Sequence, residues 1–137
     1  MTNPAASKSK LWIGRIMSGL VGLFLLLDGV MKLFKPAPVV AATVTLGYSE
    51  IAIVPIGIVL LISTILYLIP ATAILGAILL TGYLGGAVAT HVRMGEGWFP
   101  IIFPVIFGAL VWGGLWFRSN ELRALIPLRN YSPMKET

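Results

Sequence analysis

Long apolar stretches separated by short polar breaks dominate the chain, and four are long enough to cross a bilayer: residues 11–34, 50–69, 71–91 and 98–117. Each approaches or exceeds the ~20 residues that span ~30 Å of hydrocarbon at ~1.5 Å per residue. Lipid offers no partner for backbone polar groups, so each run predicts a helix. The period-two alternation of a membrane barrel strand is missing. The expected fold is an all-α membrane protein, a single domain built as an antiparallel four-transmembrane-helix bundle.

The breaks fix the connectivity. Pro70 separates the second and third runs almost without a loop, which forces a hairpin. Residues 92–97 join the third to the fourth. The longest link, residues 35–49, holds Pro36, Pro38 and an apolar stretch, 39–46, expected to lie at the interface or to re-enter. Ser49 is placed to cap the second span, and Glu50 faces its positive end. Pro104 sits within the fourth span and is expected to bend it. Small residues recur every fourth position in the first span (Gly14, Ser18, Gly22) and in the third (Ala73, Ala77, Thr81, Gly85, Ala89, with Gly82, Gly86 and Thr90 alongside). Such rows let helices approach closely, so Gly82, Gly85 and Gly86 are expected at helix–helix contacts.

Composition agrees: 58% of the residues are hydrophobic and 11% charged, against about 25% charged in an ordinary soluble domain. The net charge of +5 is no nucleic-acid signal, because the basic residues flank apolar spans and form no stripe with aromatics. They instead set orientation. Lys8, Lys10, Arg15, Arg118, Arg123, Arg129 and Lys135 fall on one side; Lys32, Lys35 and Arg93 fall on the other. The richer side is expected to be cytoplasmic, with tails 1–10 and 118–137 there and link 35–49 outside. Trp12, Tyr67, Trp112 and Trp116 are expected as interfacial anchors on one side and Trp98 on the other. The first run is too long for a signal peptide and no cleavage site follows it closely, so it reads as a retained helix. Absence of cysteine excludes disulfides, thiolate metal sites and dithiol redox chemistry.

Candidate chemistry gathers at one depth. Asp28 lies roughly 25 Å along the first span from its cytoplasmic start, with Lys32 one turn later on the same face. Glu50 opens the second span, and His91 and Arg93 close the third. A charge within a span costs about 2.5–3.5 kcal/mol on insertion scales. Tyr83 and Thr90 share a face of the third span, with Tyr83 deeper. Asp28, Lys32, Glu50, Tyr83, Thr90, His91 and Arg93 are therefore the ligand-binding candidates. The plainer alternative is that Asp28 with Lys32 or Arg93, and Glu50 with His91, are ion pairs that tie helix ends. His91 is the one histidine and has no evident metal-ligand set, so no metal is expected. No catalytic set is visible, and the glycines after Thr81 lie inside an apolar helix rather than in a phosphate-binding loop.

Four stretches resemble the DoxX-like family of small bacterial membrane proteins. Gly29-Val30-Met31-Lys32-Leu33 is like its G-x-x-K-L span ending, and Leu46-Gly47-Tyr48-Ser49-Glu50 is like its L-G-Y-P-E. The stretch from Gly76 through Thr81-Gly82-Tyr83-Leu84-Gly85-Gly86 to Thr90-His91-Val92-Arg93 is similar to its most distinctive motif. Leu110-Val111-Trp112 to Arg118, then Leu122-Arg123, resembles its usual ending. Ser49 departs from the usual Pro, and Ala71 stands where an Arg often follows Pro70. The resemblance implies a four-helix protein of the bacterial inner membrane. The family takes its name from a subunit of a thiosulfate:quinone oxidoreductase; other relatives are linked to oxidative-stress complexes or membrane-protein assembly. It supplies no catalytic residue to carry over. Three functions follow as expectations. The first is a non-enzymatic subunit or assembly partner in a membrane complex, bound to another membrane protein or to copies of itself. The second is a subunit that binds a quinone-like molecule, with no intrinsic cofactor and with electrons supplied by a partner. The third is a carrier for a small solute or proton.

Overall fold

The computed structural model describes residues 4–125. Arg129 and Lys135, counted above toward orientation, lie outside the described residues. The elements run α1 (Pro4–Phe34), α2 (Ala37–Thr45), α3 (Ile53–Leu68), α4 (Ala73–Met94), α5 (Trp98–Arg118) and α6 (Asn120–Leu125). Single 3-10 turns, Glu50–Ala52 and Pro70–Thr72, lead into α3 and α4. The spans containing α1, α3, α4 and α5 are each long and apolar enough to cross a membrane. These four helices form the antiparallel transmembrane bundle that the apolar runs predict.

Local chemistry sets the breaks. Lys35, in the left-handed region at φ 52°, and Pro36 end α1. Gly95 ends α4 at φ 67°, where a side chain would be strained. Its N–H bonds Val92 O, and the Glu96 N–H bonds His91 O, a Schellman pair that satisfies two terminal carbonyls. The link between α1 and α3 folds into α2, nine residues long, about two and a half turns. Ser49 accepts a bond from the Ile51 N–H at 3.4 Å, the cap expected of it.

Each long helix packs against its neighbours in sequence, and α1 closes the ring against α5. The first-span row makes close seams. A Cβ on Gly14 would lie 2.8 Å from Gly114 O and Arg118 N of α5, and one on Gly22 would strike Leu68 of α3. Further along α1, Gly29 meets Leu61, and Gly57 of α3 sits against Lys32 Cβ. Ala73 and Ala77 are buried where α4 meets α3 and α5. The expectation fails for Gly82, Gly85 and Gly86. A Cβ on any of them would meet nothing within 4 Å; among the described residues no helix packs there. The physical reason is position. The bundle is tight in the half near the chain termini, where Tyr67, Ala77, Leu80, Val111 and Leu115 fill the core, and it opens in the half near α2.

Tyr67 is a second correction. It is no interfacial anchor but fully buried. Its hydroxyl donates to Val111 O at 2.8 Å and so must accept from Ser18 Oγ at 2.9 Å. Its carbonyl accepts from Arg118 Nη2 at 2.6 Å, and the guanidinium stands over its ring at 4.9 Å. One residue thus ties α3 to α1 and α5 in a medium without competing water. Tyr67→Phe is expected to cost about 1–2 kcal/mol in reversible detergent unfolding. Ser18→Ala added to it should cost little more, because the two share one bond.

Candidate functional site

Spacing within each helix builds a lined cavity in the looser half of the bundle. Phe24, Asp28 and Lys32 recur every fourth residue on α1, as do Gly82, Gly86 and Thr90 on α4, and Phe103 and Phe107 on α5. Four apart is one face of a helix. These faces, with Tyr83 and His91, surround a cavity of ≈ 500 Å³, within the range of small-molecule sites. Val39, Ala42 and Thr43, one face of α2, and Leu46 just past its end roof it. The glycines of α4 supply space: side chains at 82 and 86 would occupy the room the cavity uses.

The apolar wall is aromatic. Phe107 lies 4.7 Å from Phe24 and 4.8 Å from Phe103, centroid to centroid, and Phe24 lies 6.1 Å from Phe103. Polar groups converge on the remaining sides. Lys32 Nζ donates to Asp28 Oδ2 at 2.5 Å. This pair removes net charge from the cavity and keeps one strong donor and one strong acceptor at its edge. Thr90 Oγ1 donates to Gly86 O at 2.9 Å. Its single proton being used, it accepts from the Tyr48 hydroxyl at 2.7 Å, which leaves the Tyr48 oxygen free to accept. His91 Nδ1 bonds Glu96. That carboxylate orients the ring and favours the proton on Nδ1, leaving Nε2 as the acceptor of the neutral form. Among the described residues nothing hydrogen-bonds the Tyr83 hydroxyl, which borders the cavity as an available donor.

Of the residues singled out from the sequence, Asp28, Lys32, Tyr83, Thr90 and His91 line this one cavity. Glu50 and Arg93 do not. Glu50 pairs with Lys35 at 3.0 Å on the surface, and Arg93 donates to Leu46 O at 3.0 Å, holding the end of α2. The expected Glu50–His91 pair is replaced by Glu96–His91, because the Gly95 turn folds Glu96 back beside the ring. Of the two partners open to Asp28, Lys32 is the one it takes. Sequence reasoning missed Tyr48, Glu96 and the three phenylalanines. The four-residue spacing of Phe103 and Phe107 was a usable signal; the reach of Tyr48 to Thr90 was not, since 42 residues separate them.

The sequence model of the DoxX-like family matches residues 16–114. That span holds every residue that lines the cavity. No curated protein and no solved structure matches the chain.

Proposed function

This chain belongs to the DoxX-like family, and on that premise we propose that it is a multi-pass membrane protein that binds a lipid-soluble, quinone-like molecule in the cavity beneath α2. The supporting observation is the ≈ 500 Å³ space with an aromatic wall and several hydrogen-bonding groups. A flat ring carrying two carbonyls matches this lining. Phe24, Phe103 and Phe107 offer faces and edges for stacking. Tyr83 and Lys32 offer donors to carbonyl oxygens; Asp28, Tyr48 and His91 offer acceptors to the hydroxyls of the reduced form. Buried polar groups of this kind favour a ligand with matching oxygens over a plain hydrocarbon. Any redox chemistry of the bound molecule would draw electrons from a partner subunit. The bacterial inner membrane is the proposed location, with the termini cytoplasmic, on the positive-charge asymmetry.

Titration of the protein in lipid nanodiscs with decylubiquinone tests the reading. Saturable binding is expected, and Tyr83→Phe and His91→Ala should each weaken it by about 3- to 10-fold, the worth of one hydrogen bond. Affinity unchanged in both variants would remove the assignment.

A second reading, an assembly or interaction partner, draws on the outward face of α4. Thr81, Gly85 and Ala89 form an exposed row there, a surface a foreign helix could approach closely. Purification from native membranes without any associated protein would count against it.

A further inference from the structure

The four seams of the bundle are not closed alike at the level of the cavity. Between α1 and α3 the glycines hold on: Gly29 lies against Leu61, and Gly57 against Lys32 Cβ and Gly29 O. The close glycine contacts of the α1–α5 seam lie away from the cavity, where Gly14 meets Gly114 and Arg118 and Gly114 meets Ser18. Beside the cavity, what stands between α1 and α5 is phenyl rings: Phe24 from one helix, Phe103 and Phe107 from the other. All three line the cavity. Phe24 and Phe103 also remain 48% and 40% exposed. Phe24 continues an exposed row of α1, Leu20, Leu27 and Met31, and Phe103 continues Phe99 and Ile106 of α5. The same rings therefore border both the cavity and the outer, lipid-facing surface.

Depth gives this seam a meaning. Phe24 lies roughly 15 Å along α1 from Phe34, near the middle of ~30 Å of hydrocarbon. The aqueous end is covered instead by α2, held by the Lys35–Glu50 pair on its two flanks and by Arg93 on Leu46 O. Swinging a ring about its side-chain bonds is fast and breaks no hydrogen bond. Lifting α2 breaks an ion pair and a charged hydrogen bond.

Building on the ligand reading above, we infer that the cavity is reached sideways from the bilayer, through the phenyl-lined seam between α1 and α5. Its ligand is accordingly a lipid with a polar ring and a hydrocarbon tail. The ring lies toward Tyr83, Asp28 and His91, and the tail leaves between Phe24 and Phe103 into the lipid.

The test uses the full chain in nanodiscs and a decylubiquinone bearing an alkyl diazirine at the end of its tail. Photolabelling that unlabelled decylubiquinone displaces should fall on the outer α1–α5 rows, at Leu20, Leu27, Phe99 or Ile106. Displaceable label on α2 or on the 95–97 loop would overturn the inference while leaving a ligand site in place. No displaceable label anywhere, with no saturable binding, would remove the ligand reading and this inference with it. A second arm exploits the absence of native cysteine. Bridging Leu27→Cys/Ile106→Cys, on the exposed rows outside the cavity lining, with a reducible bis-thiosulfonate should abolish decylubiquinone binding, and reductant should restore it. The same bridge across Lys35→Cys/Glu50→Cys should leave binding intact. The reverse pattern, loss only when the α2 flanks are bridged, would place access at the aqueous end and overturn the proposal.

Discussion

Phenylalanine in place of Gly86 is expected to abolish binding at the cavity while the bundle still folds. Gly86 lines the cavity, and a Cβ there meets nothing within 4 Å. The new side chain has open space at its root and takes volume a ligand would use. Replacing glycine inside a helix even recovers roughly 0.5–1 kcal/mol of backbone entropy. Against a bound ligand the ring acts as overpacking, worth about 1–3 kcal/mol or more, so affinity for decylubiquinone should fall by about 30-fold or beyond. Gly85→Phe, one residue away on the outward face, is the matched control and should bind normally. Thermal unfolding of both variants near the wild-type midpoint, with binding lost in one alone, is the expected pair of results. Normal binding by Gly86→Phe would show that the cavity beneath α2 is not the site.

Gly76→Ala should do the opposite: damage the fold with a single methyl. A Cβ at position 76 would lie 2.1 Å from Tyr67 N, 2.4 Å from Tyr67 Cα and 2.7 Å from Leu66 C. All three are backbone atoms, so no flexible side chain can give way, and α4 must move off the end of α3. That movement displaces Tyr67, whose hydroxyl, carbonyl and ring hold Ser18, Val111 and Arg118. The expected loss is about 3 kcal/mol or more, read in reversible detergent unfolding or as failure to accumulate in membranes. Gly85→Ala should stay within about 0.5 kcal/mol of wild type, as a change in open space does. Wild-type stability in Gly76→Ala would contradict the close contact on which the tight half of the bundle depends.

Some of the site is legible in the sequence alone. Asp28 and Lys32 pair because four residues on one helix bring their ends together wherever the helix lies. Tyr83, Thr90 and His91 share a helix as well, so their relative depths followed from counting. What misled was anything carried between elements. His91 finds Glu96 rather than Glu50 because a left-handed turn at Gly95 outcompetes a longer reach across the bundle. Glu50 is taken by Lys35 at the surface. Tyr67 looked like an interfacial anchor because it lies near the end of an apolar run, yet a glycine on the following helix lets it be buried.

The four spans, their antiparallel order and the depth of the charged residues were set by the sequence itself. Each depends on hydropathy and helical rise, which sum residue by residue along one segment. Whether a row of small residues closes a seam or lines a space was settled only by the tertiary structure. Gly14 and Gly86 sit in similar rows, and the first touches a backbone while the second faces a cavity. The difference lies in the separation of helices far apart in sequence, set by every contact along their seams at once, and no local pattern encodes it.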